Sequence, residues 1–109
     1  MTEPIKLCEV ADLAEAELVA AEIEGREIVY TRIADQVFAV DGICTHAHVR
    51  LVDGIVDEDE CTLECPKHGA SFSLATGEAL TLPAIQPVLA HSIEIRESAV
   101  FITLMERDE

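Results

Sequence analysis

Four residues with metal-binding side chains form two short pairs in this sequence. Cys44 and His46 are separated by one residue, and Cys65 and His68 are separated by two. Thiolates and neutral imidazoles are ligands for iron and for zinc. Each pair therefore presents one anionic sulfur and one neutral nitrogen on a short loop. Two such loops facing each other would supply a complete set of four ligands.

Two classes of site use two cysteines and two histidines. A structural zinc module is one of them, but zinc fingers place Cys beside Cys and His beside His at short spacing. The other is a [2Fe–2S] cluster in which two cysteines hold one iron and two histidines hold the other. Because each pair in this chain combines Cys with His, the spacing favours the cluster. The zinc module stays as the alternative from another class.

The sequences that begin at the two cysteines resemble those of Rieske-type [2Fe–2S] ferredoxins. They read CTHAHVRLVDG and CPKHGASFSLATGEAL. The resemblance implies one Rieske cluster, with Cys44 and Cys65 on the buried iron and His46 and His68 on the outer iron. Gly69, directly after the last ligand, is expected to permit a sharp turn with a positive φ.

The resemblance covers most of the chain, from about Ile5 to Leu104, and it implies a fold. We expect one all-β domain of 109 residues with the Rieske fold. Its base would be an antiparallel β-sandwich, and a small cluster-binding subdomain would span roughly residues 42–84. Within that span, Leu82-Pro83-Ala84 resembles the proline-containing loop that covers the cluster in Rieske proteins, although an ordinary surface turn is the other interpretation.

Other cysteines and histidines need a role as well. Cys61 lies four residues before Cys65, a spacing that puts both side chains on one face of a strand. It is therefore the one competing ligand. Cys8 lies in an apolar segment and is expected to act as a small buried hydrophobic residue. We interpret His48 as a loop residue and His91 as a structural residue of a strand.

Patterns typical of β-strands dominate the rest of the chain, and turns separate them. The sequence predicts strands at Arg26–Ile33, Gln36–Val40, Val88–Arg96 and Ala99–Leu104. The acidic run Asp57–Glu60 is predicted to form the exposed tip of a hairpin.

The segment Ala11–Glu24 gives conflicting signals. It is rich in Ala, Glu and Leu, which by propensity alone favour a helix. However, Glu24-Gly25 is typical of a hairpin turn leading into the strand at Arg26. That turn, together with the resemblance, favours a strand over Glu17–Ile23, with at most a short helical turn near Asp12–Ala16. We adopt the strand.

The charge of the chain excludes some functions and favours others. A formal net charge of −15, with only seven Lys and Arg residues, argues against nucleic acid, because binding phosphates needs clustered basic side chains. An acidic surface suits solubility and electrostatic attraction to basic patches on partner proteins. No apolar run approaches a membrane span, and the N-terminus lacks a signal-peptide pattern. We therefore expect a soluble cytoplasmic protein.

The residues around the second pair predict where the reduction potential lies. High-potential Rieske proteins of respiratory type carry a disulfide between positions that match Val49 and Lys67. They also place a serine and a tyrosine hydroxyl at positions that match Ala70 and Phe72. This chain lacks all four groups. Fewer hydrogen bonds would then draw charge from the cluster sulfurs, which predicts a low potential for a Rieske centre.

Taken with the resemblance, these features predict an electron carrier that is not itself an enzyme. The expected role is the ferredoxin component of an aromatic-ring-hydroxylating dioxygenase. It would take single electrons from an NAD(P)H-dependent flavoprotein ferredoxin reductase and pass them to a terminal Rieske oxygenase, as a monomer. The alternative that keeps the cluster is a small Rieske-like subunit of a nitrite reductase.

Overall fold

The computed structural model describes residues 3–43, 49–67, 69–81 and 86–106. Their backbone forms antiparallel strands with two short 3₁₀ turns, at Val10–Asp12 and Leu51–Asp53. The strands are β1 (Ile5–Glu9), β2 (Val19–Ile23), β3 (Arg26–Ile33), β4 (Gln36–Asp41), β5 (Ile55–Asp57), β6 (Thr62–Glu64), β7 (Ser71–Ser73), β8 (Ala90–Arg96) and β9 (Ala99–Thr103). The predicted all-β class is confirmed.

Six of the strands form one sheet with the order β1-β9-β8-β4-β3-β2, and the other three form a second sheet with the order β5-β6-β7. Two-residue turns connect β2 to β3 and β8 to β9. Glu24 and Gly25 in the first turn have φ of 53° and 79°, and Glu97 and Ser98 in the second have φ of 51° and 71°. Two successive positive φ values match the twist of antiparallel strands. The predicted turns are confirmed at both places.

The strand expected over Glu17–Ile23 is confirmed as β2, and the helical turn before it is limited to Val10–Asp12. Side chains of this segment alternate between the two sides of the sheet. Leu18 and Ala20 contact one hydrophobic cluster, whereas Val19 and Ala21 contact the other. Apolar surface is therefore available on both sides, and pairing with β3 also satisfies the backbone. These tertiary interactions outweigh the helix propensity of Ala and Glu.

Two hydrophobic clusters lie on opposite sides of β3 and β4. Ile28 and Tyr30 point into the first, which joins β3 to β9 through Val100 and Ile102. Val29, between them in sequence, points into the second cluster. The second cluster joins the six-stranded sheet to the three-stranded sheet. The middle parts of β3 and β4 are thus buried on both faces, which explains why successive residues there, such as Ile28, Val29 and Tyr30, are apolar.

The three-stranded sheet lies within residues 42–84. Leu63 and Phe72 of this sheet are fully buried in the second cluster. The acidic run Asp57–Glu60 is exposed, as predicted, and comprises the last residue of β5 and the turn that leads to β6. No helix in the described part of the chain is long and apolar enough to span a membrane.

Candidate metal centre

Cys65 is the one predicted ligand that falls within the described residues, and it is fully buried. Its backbone N–H donates to the carbonyl of Ala70 at 2.7 Å, and its carbonyl accepts from the N–H of Gly69 at 3.1 Å. These bonds close a tight turn directly after β6. Gly69 has a φ of 73°, so the positive φ predicted for it is confirmed. Cys44, His46, His48 and His68 lie outside the described residues, as do Leu82-Pro83-Ala84.

The residues on either side of the first ligand pair are held together at their base. Ile43 pairs with Arg50 in an isolated antiparallel bridge, and the N–H of Leu51 donates to the carbonyl of Gly42 at 2.8 Å. Glu27 of β3 anchors this base twice. Its carbonyl accepts from the N–H of Gly42 at 2.8 Å, and its carboxylate accepts from the Arg50 guanidinium at 2.8 Å. Gly42 and Arg50, which lie on either side of this pair in the sequence, are therefore both bonded to Glu27 of β3.

The close approach to Glu27 requires a glycine at position 42. A Cβ at this position would lie 2.8 Å from Cγ of Glu27 and 3.1 Å from its carbonyl oxygen. Such distances are below van der Waals contact, so a larger residue would displace the start of the first ligand segment. The sequence signal Asp41-Gly42 predicts the end of a strand, and the structure adds the reason why glycine is needed.

One hydrophobic cluster contains Cys65 and residues that flank the first predicted ligand pair. Cys65 and Ala70 of the second segment belong to it, as does Leu51, which follows the first segment. Val40, which precedes the first segment, and Val49, which ends it, also contact this cluster. Burial of these side chains places the ends of both ligand segments against the same apolar core. The arrangement fits a donor set drawn from both segments.

A polar network that spacing alone does not reveal supports the start of the first segment. Nε2 of His91 lies 2.9 Å from Oδ1 of Asp41, and the Arg26 guanidinium lies 3.3 Å from the same oxygen. Nδ1 of His91 accepts from the N–H of Met105 at 3.0 Å, and Arg26 donates to the carbonyl of Met105 at 3.0 Å. Asp41 and His91 are fifty residues apart. Only the pairing of β4 with β8 makes them neighbours.

The pKa of the Asp41 carboxyl is lowered by this network. Burial on its own would raise that pKa, but the hydrogen bond from His91 and the charge of the Arg26 guanidinium outweigh it. With both ring nitrogens engaged, His91 has a structural role, as its place in an alternating strand predicts.

Cys61 and Cys8 are both partly buried and contact apolar residues. Burial raises the pKa of each thiol. No three His, Cys, Asp or Glu side chains among the described residues form a group that could hold a metal ion. Cys61 and Cys65 therefore make no site with the described residues alone.

The sequence pattern of the Rieske [2Fe–2S] domain matches residues 3–97. The chain belongs to the Rieske family. The match spans every strand that surrounds Cys65 and most of the six-stranded sheet. A Rieske domain carries one [2Fe–2S] cluster, and the predicted set of two cysteines and two histidines matches the ligands of such a cluster. Buried Cys65, on a tight turn against the second hydrophobic cluster, is consistent with that donor set.

Relatives of this Rieske domain are ferredoxin components of dioxygenases. The chain is 35% identical over 102 residues to the 3-phenylpropionate/cinnamic acid dioxygenase ferredoxin subunit of Shigella boydii, covering 94% of each chain. It is 30% identical over 100 residues to the ferredoxin component of the naphthalene 1,2-dioxygenase system of Pseudomonas putida, covering 92% of this chain and 94% of that protein.

Solved structures show the same fold. The ferredoxin of carbazole 1,9a-dioxygenase from Nocardioides aromaticivorans superposes with a TM-score of 0.89 at 26% identity, covering 93% of this chain and 97% of that one. A ferredoxin in a complex with the oxygenase of carbazole 1,9a-dioxygenase superposes with a TM-score of 0.87 at 27% identity, covering 97% of both chains. A nitrite reductase small subunit from Mycobacterium tuberculosis shares the fold, with a TM-score of 0.85 at 18% identity. The superposition covers 98% of this chain and 99% of that one. The predicted Rieske fold is confirmed.

Proposed function

We propose that this protein carries single electrons to the terminal oxygenase of a dioxygenase system. When bound, the cluster supplies a one-electron couple. Cys44 and Cys65 hold its buried iron, His46 and His68 hold its outer iron, and residues 42–84 form the cluster-binding subdomain. The observation that supports this most directly is the single apolar cluster around Cys65 and the ends of the first ligand segment.

The proposed partners follow from the relatives and from the charge of the chain. One similar ferredoxin is seen in a complex with its oxygenase, and the relatives are named as ferredoxin parts of dioxygenases. Electrons would come from an NAD(P)H-dependent flavoprotein reductase. A net charge of −15 favours transient, salt-sensitive association of this cytoplasmic, monomeric carrier with basic surfaces on both partners.

The surroundings of Cys65 favour a low potential. Ala70 and Phe72 are both fully buried near this cysteine, and neither side chain has a hydroxyl. The backbone of Ala70 is already engaged with the N–H of Cys65. The negative charge of the reduced cluster therefore receives no side-chain hydrogen bond from these two positions. A potential in the lower part of the range of about −150 to +300 mV suits electron delivery to an oxygenase.

An EPR spectrum of the reduced protein tests this function. We expect a Rieske signal after reduction by dithionite and none after reduction by ascorbate. A signal with ascorbate would contradict the low potential. A colourless protein that contains zinc would overturn the cluster. Copurification of the chain as a fixed part of a nitrite reductase would overturn the role as a free carrier.

Variants test the ligand assignment. Cys65→Ala and His46→Ala should each abolish the Rieske signal, because each removes one of four ligands. Cys61→Ala and Cys8→Ala are the matched controls and should keep it. A normal spectrum for Cys65→Ala, or a lost signal for Cys61→Ala, would show that the ligand set is wrong.

A further inference from the structure

A groove of about 350 Å³ runs along the solvent-facing side of the three-stranded sheet. Because strand side chains alternate, burial of Leu63 and Phe72 places their neighbours Glu64 and Ser71 on the opposite, outer face. The groove is lined by Ile55, Asp57, Glu60, Thr62, Glu64, Ser71, Leu80 and Thr81.

Backbone pairing builds the floor of the groove from four segments of the chain. Ile55 of β5 lies opposite Glu64 of β6, and Glu64 lies opposite Ser71 of β7. Ser71 then bonds to the next segment, since its carbonyl accepts from the N–H of Leu80 and its N–H donates to Oγ1 of Thr81, both at 2.8 Å. Backbone pairing and hydrogen bonds to the segment at Leu80 and Thr81 therefore define the floor of the groove.

The groove combines apolar and acidic side chains. Ile55 is 63% exposed and Leu80 is 47% exposed, and both line the same groove. The acidic residues Asp57, Glu60 and Glu64 are exposed beside them. In the described part of the chain, no Lys or Arg lies within ion-pair distance of these three carboxylates. The surface offers uncompensated negative charge next to exposed apolar area.

The Asp57 carboxylate shapes the hairpin tip. Its Oδ1 accepts from the N–H groups of Asp59 and Glu60, at 3.0 and 3.1 Å. Asp57 and Glu60 line the groove, whereas Glu58 is not among its lining residues.

We propose that this groove is the docking site for a partner protein that presents an arginine or lysine side chain beside an apolar one. The basic group pairs with Asp57, Glu60 and Glu64, and the apolar group covers Ile55 and Leu80. Opposite charge and exposed apolar area together match the composition of protein interfaces, in which Arg and large apolar residues are enriched.

The position of the groove explains why such a partner would be a redox partner, and in this respect the inference rests on the proposed function. Glu64 directly precedes Cys65, and a Cβ placed on Gly69 would lie 3.6 Å from Oε2 of Glu64. The Glu64 carboxylate is thus beside the second ligand segment. A partner held in the groove is next to the cluster-binding end of the molecule.

Electron transfer to mitochondrial cytochrome c, a basic one-electron acceptor, tests the groove with the intact holoprotein. One electron leaves the reduced cluster and converts ferric haem to ferrous haem. We expect the double variant Glu60→Gln/Glu64→Gln to lower the second-order rate constant at low ionic strength roughly threefold or more. The matched control Glu22→Gln/Glu97→Gln removes the same charge from exposed positions in β2 and in the turn between β8 and β9, and should have a smaller effect.

Carbodiimide cross-linking locates the contact. Peptide mapping should find Asp57, Glu60 or Glu64 joined to lysines of cytochrome c. Equal rate losses in the two double variants, no loss in either, or cross-links confined to carboxylates outside the groove would overturn the proposal. An EPR spectrum of each variant keeps the two inferences separate. If the wild-type protein gives no Rieske signal, the proposed function fails, whereas an intact signal with equal rates is a failure of the groove alone.

Discussion

Nε2 of His91 lies 2.9 Å from Oδ1 of Asp41, and the other ring nitrogen of His91 accepts a hydrogen bond from the N–H of Met105 at 3.0 Å. A backbone N–H can only donate, so Nδ1 is the acceptor and Nε2 carries the proton that is donated to Asp41. In this fixed tautomer His91 links its own strand, β8, to Asp41 at the end of β4 and to Met105. β4 leads directly to the first ligand segment. His91 thus stabilises the base on which the predicted metal centre is built.

Replacing His91 by Phe should destabilise the fold and leave the Rieske signal intact. The variant leaves the N–H of Met105 without its partner and removes one hydrogen bond from the buried side of Asp41. We expect a loss of about 2 kcal/mol in the free energy of unfolding, measured by urea denaturation. Ser92→Ala, at an exposed neighbouring position, is the control and should change little. Loss of the EPR signal in His91→Phe would contradict a purely structural role.

The lowered pKa of Asp41 predicts how stability depends on pH. Since its pKa is lower in the folded state than the value of about 3.9 in an unfolded chain, the ionised carboxylate stabilises the fold. That contribution is fully present above the unfolded pKa and is lost as the pH falls through the folded pKa. The Tm difference between wild type and Asp41→Asn should therefore be large at pH 6 and shrink toward pH 3. Asp35→Asn, at an exposed position, is the control. If its Tm difference from wild type shrank equally toward pH 3, the pH dependence could not be assigned to Asp41.

Thr31→Val should stabilise the protein. Thr31 is fully buried in β3, and its hydroxyl has no hydrogen-bond partner among the described residues. Valine has nearly the same shape and removes the buried polar atom, so we expect a gain of about 1 kcal/mol. Denaturant unfolding of the variant measures this gain, with Thr103→Val at a partly exposed position as the control. A loss of stability in Thr31→Val would mean that the hydroxyl has a favourable role.

Ala70→Ser should raise the reduction potential. Ala70 is fully buried and its backbone is bonded to Cys65, so a hydroxyl at this position would lie close to the proposed cluster. A hydrogen bond from it would stabilise the added electron and shift the potential upward. Redox titration followed by EPR or circular dichroism measures the shift. Ala90→Ser, in β8, should leave the potential unchanged. An unchanged potential in Ala70→Ser would contradict the argument from missing hydroxyls.

The residue types at a two-residue turn were enough to predict the strands on either side of it. Glu24-Gly25 and Glu97-Ser98 predict hairpins correctly because positive φ at two successive residues is a local property of the backbone. The alternation of apolar residues through β8 predicts one face correctly only in part, since His91 is buried whereas Ile95 is 41% exposed. Helix propensity gave the wrong structure for the part of Ala11–Glu24 that forms β2, because packing on both sides of the sheet outweighs the helix preference of Ala and Glu.

The donor set of the metal centre was also readable from the sequence, because ligand type and short spacing are properties of adjacent residues. The assignment of Cys44, His46 and His68 stays a prediction, since these residues lie outside the described part of the chain. Burial of Cys65 and its place in the second hydrophobic cluster were decided only by tertiary structure. They depend on how two sheets pack, which no short motif encodes.

The distinction between local and long-range interactions separates what the sequence determined from what the tertiary structure decided. Turn residues, ligand spacing and alternation act between near neighbours in the chain, so the sequence by itself determined the all-β class and the Rieske motif. The Asp41–His91 pair and the acidic groove join residues from distant segments through strand pairing. Their chemistry arises only when non-local hydrogen bonds and burial bring those segments together, and it is therefore a property of the tertiary structure.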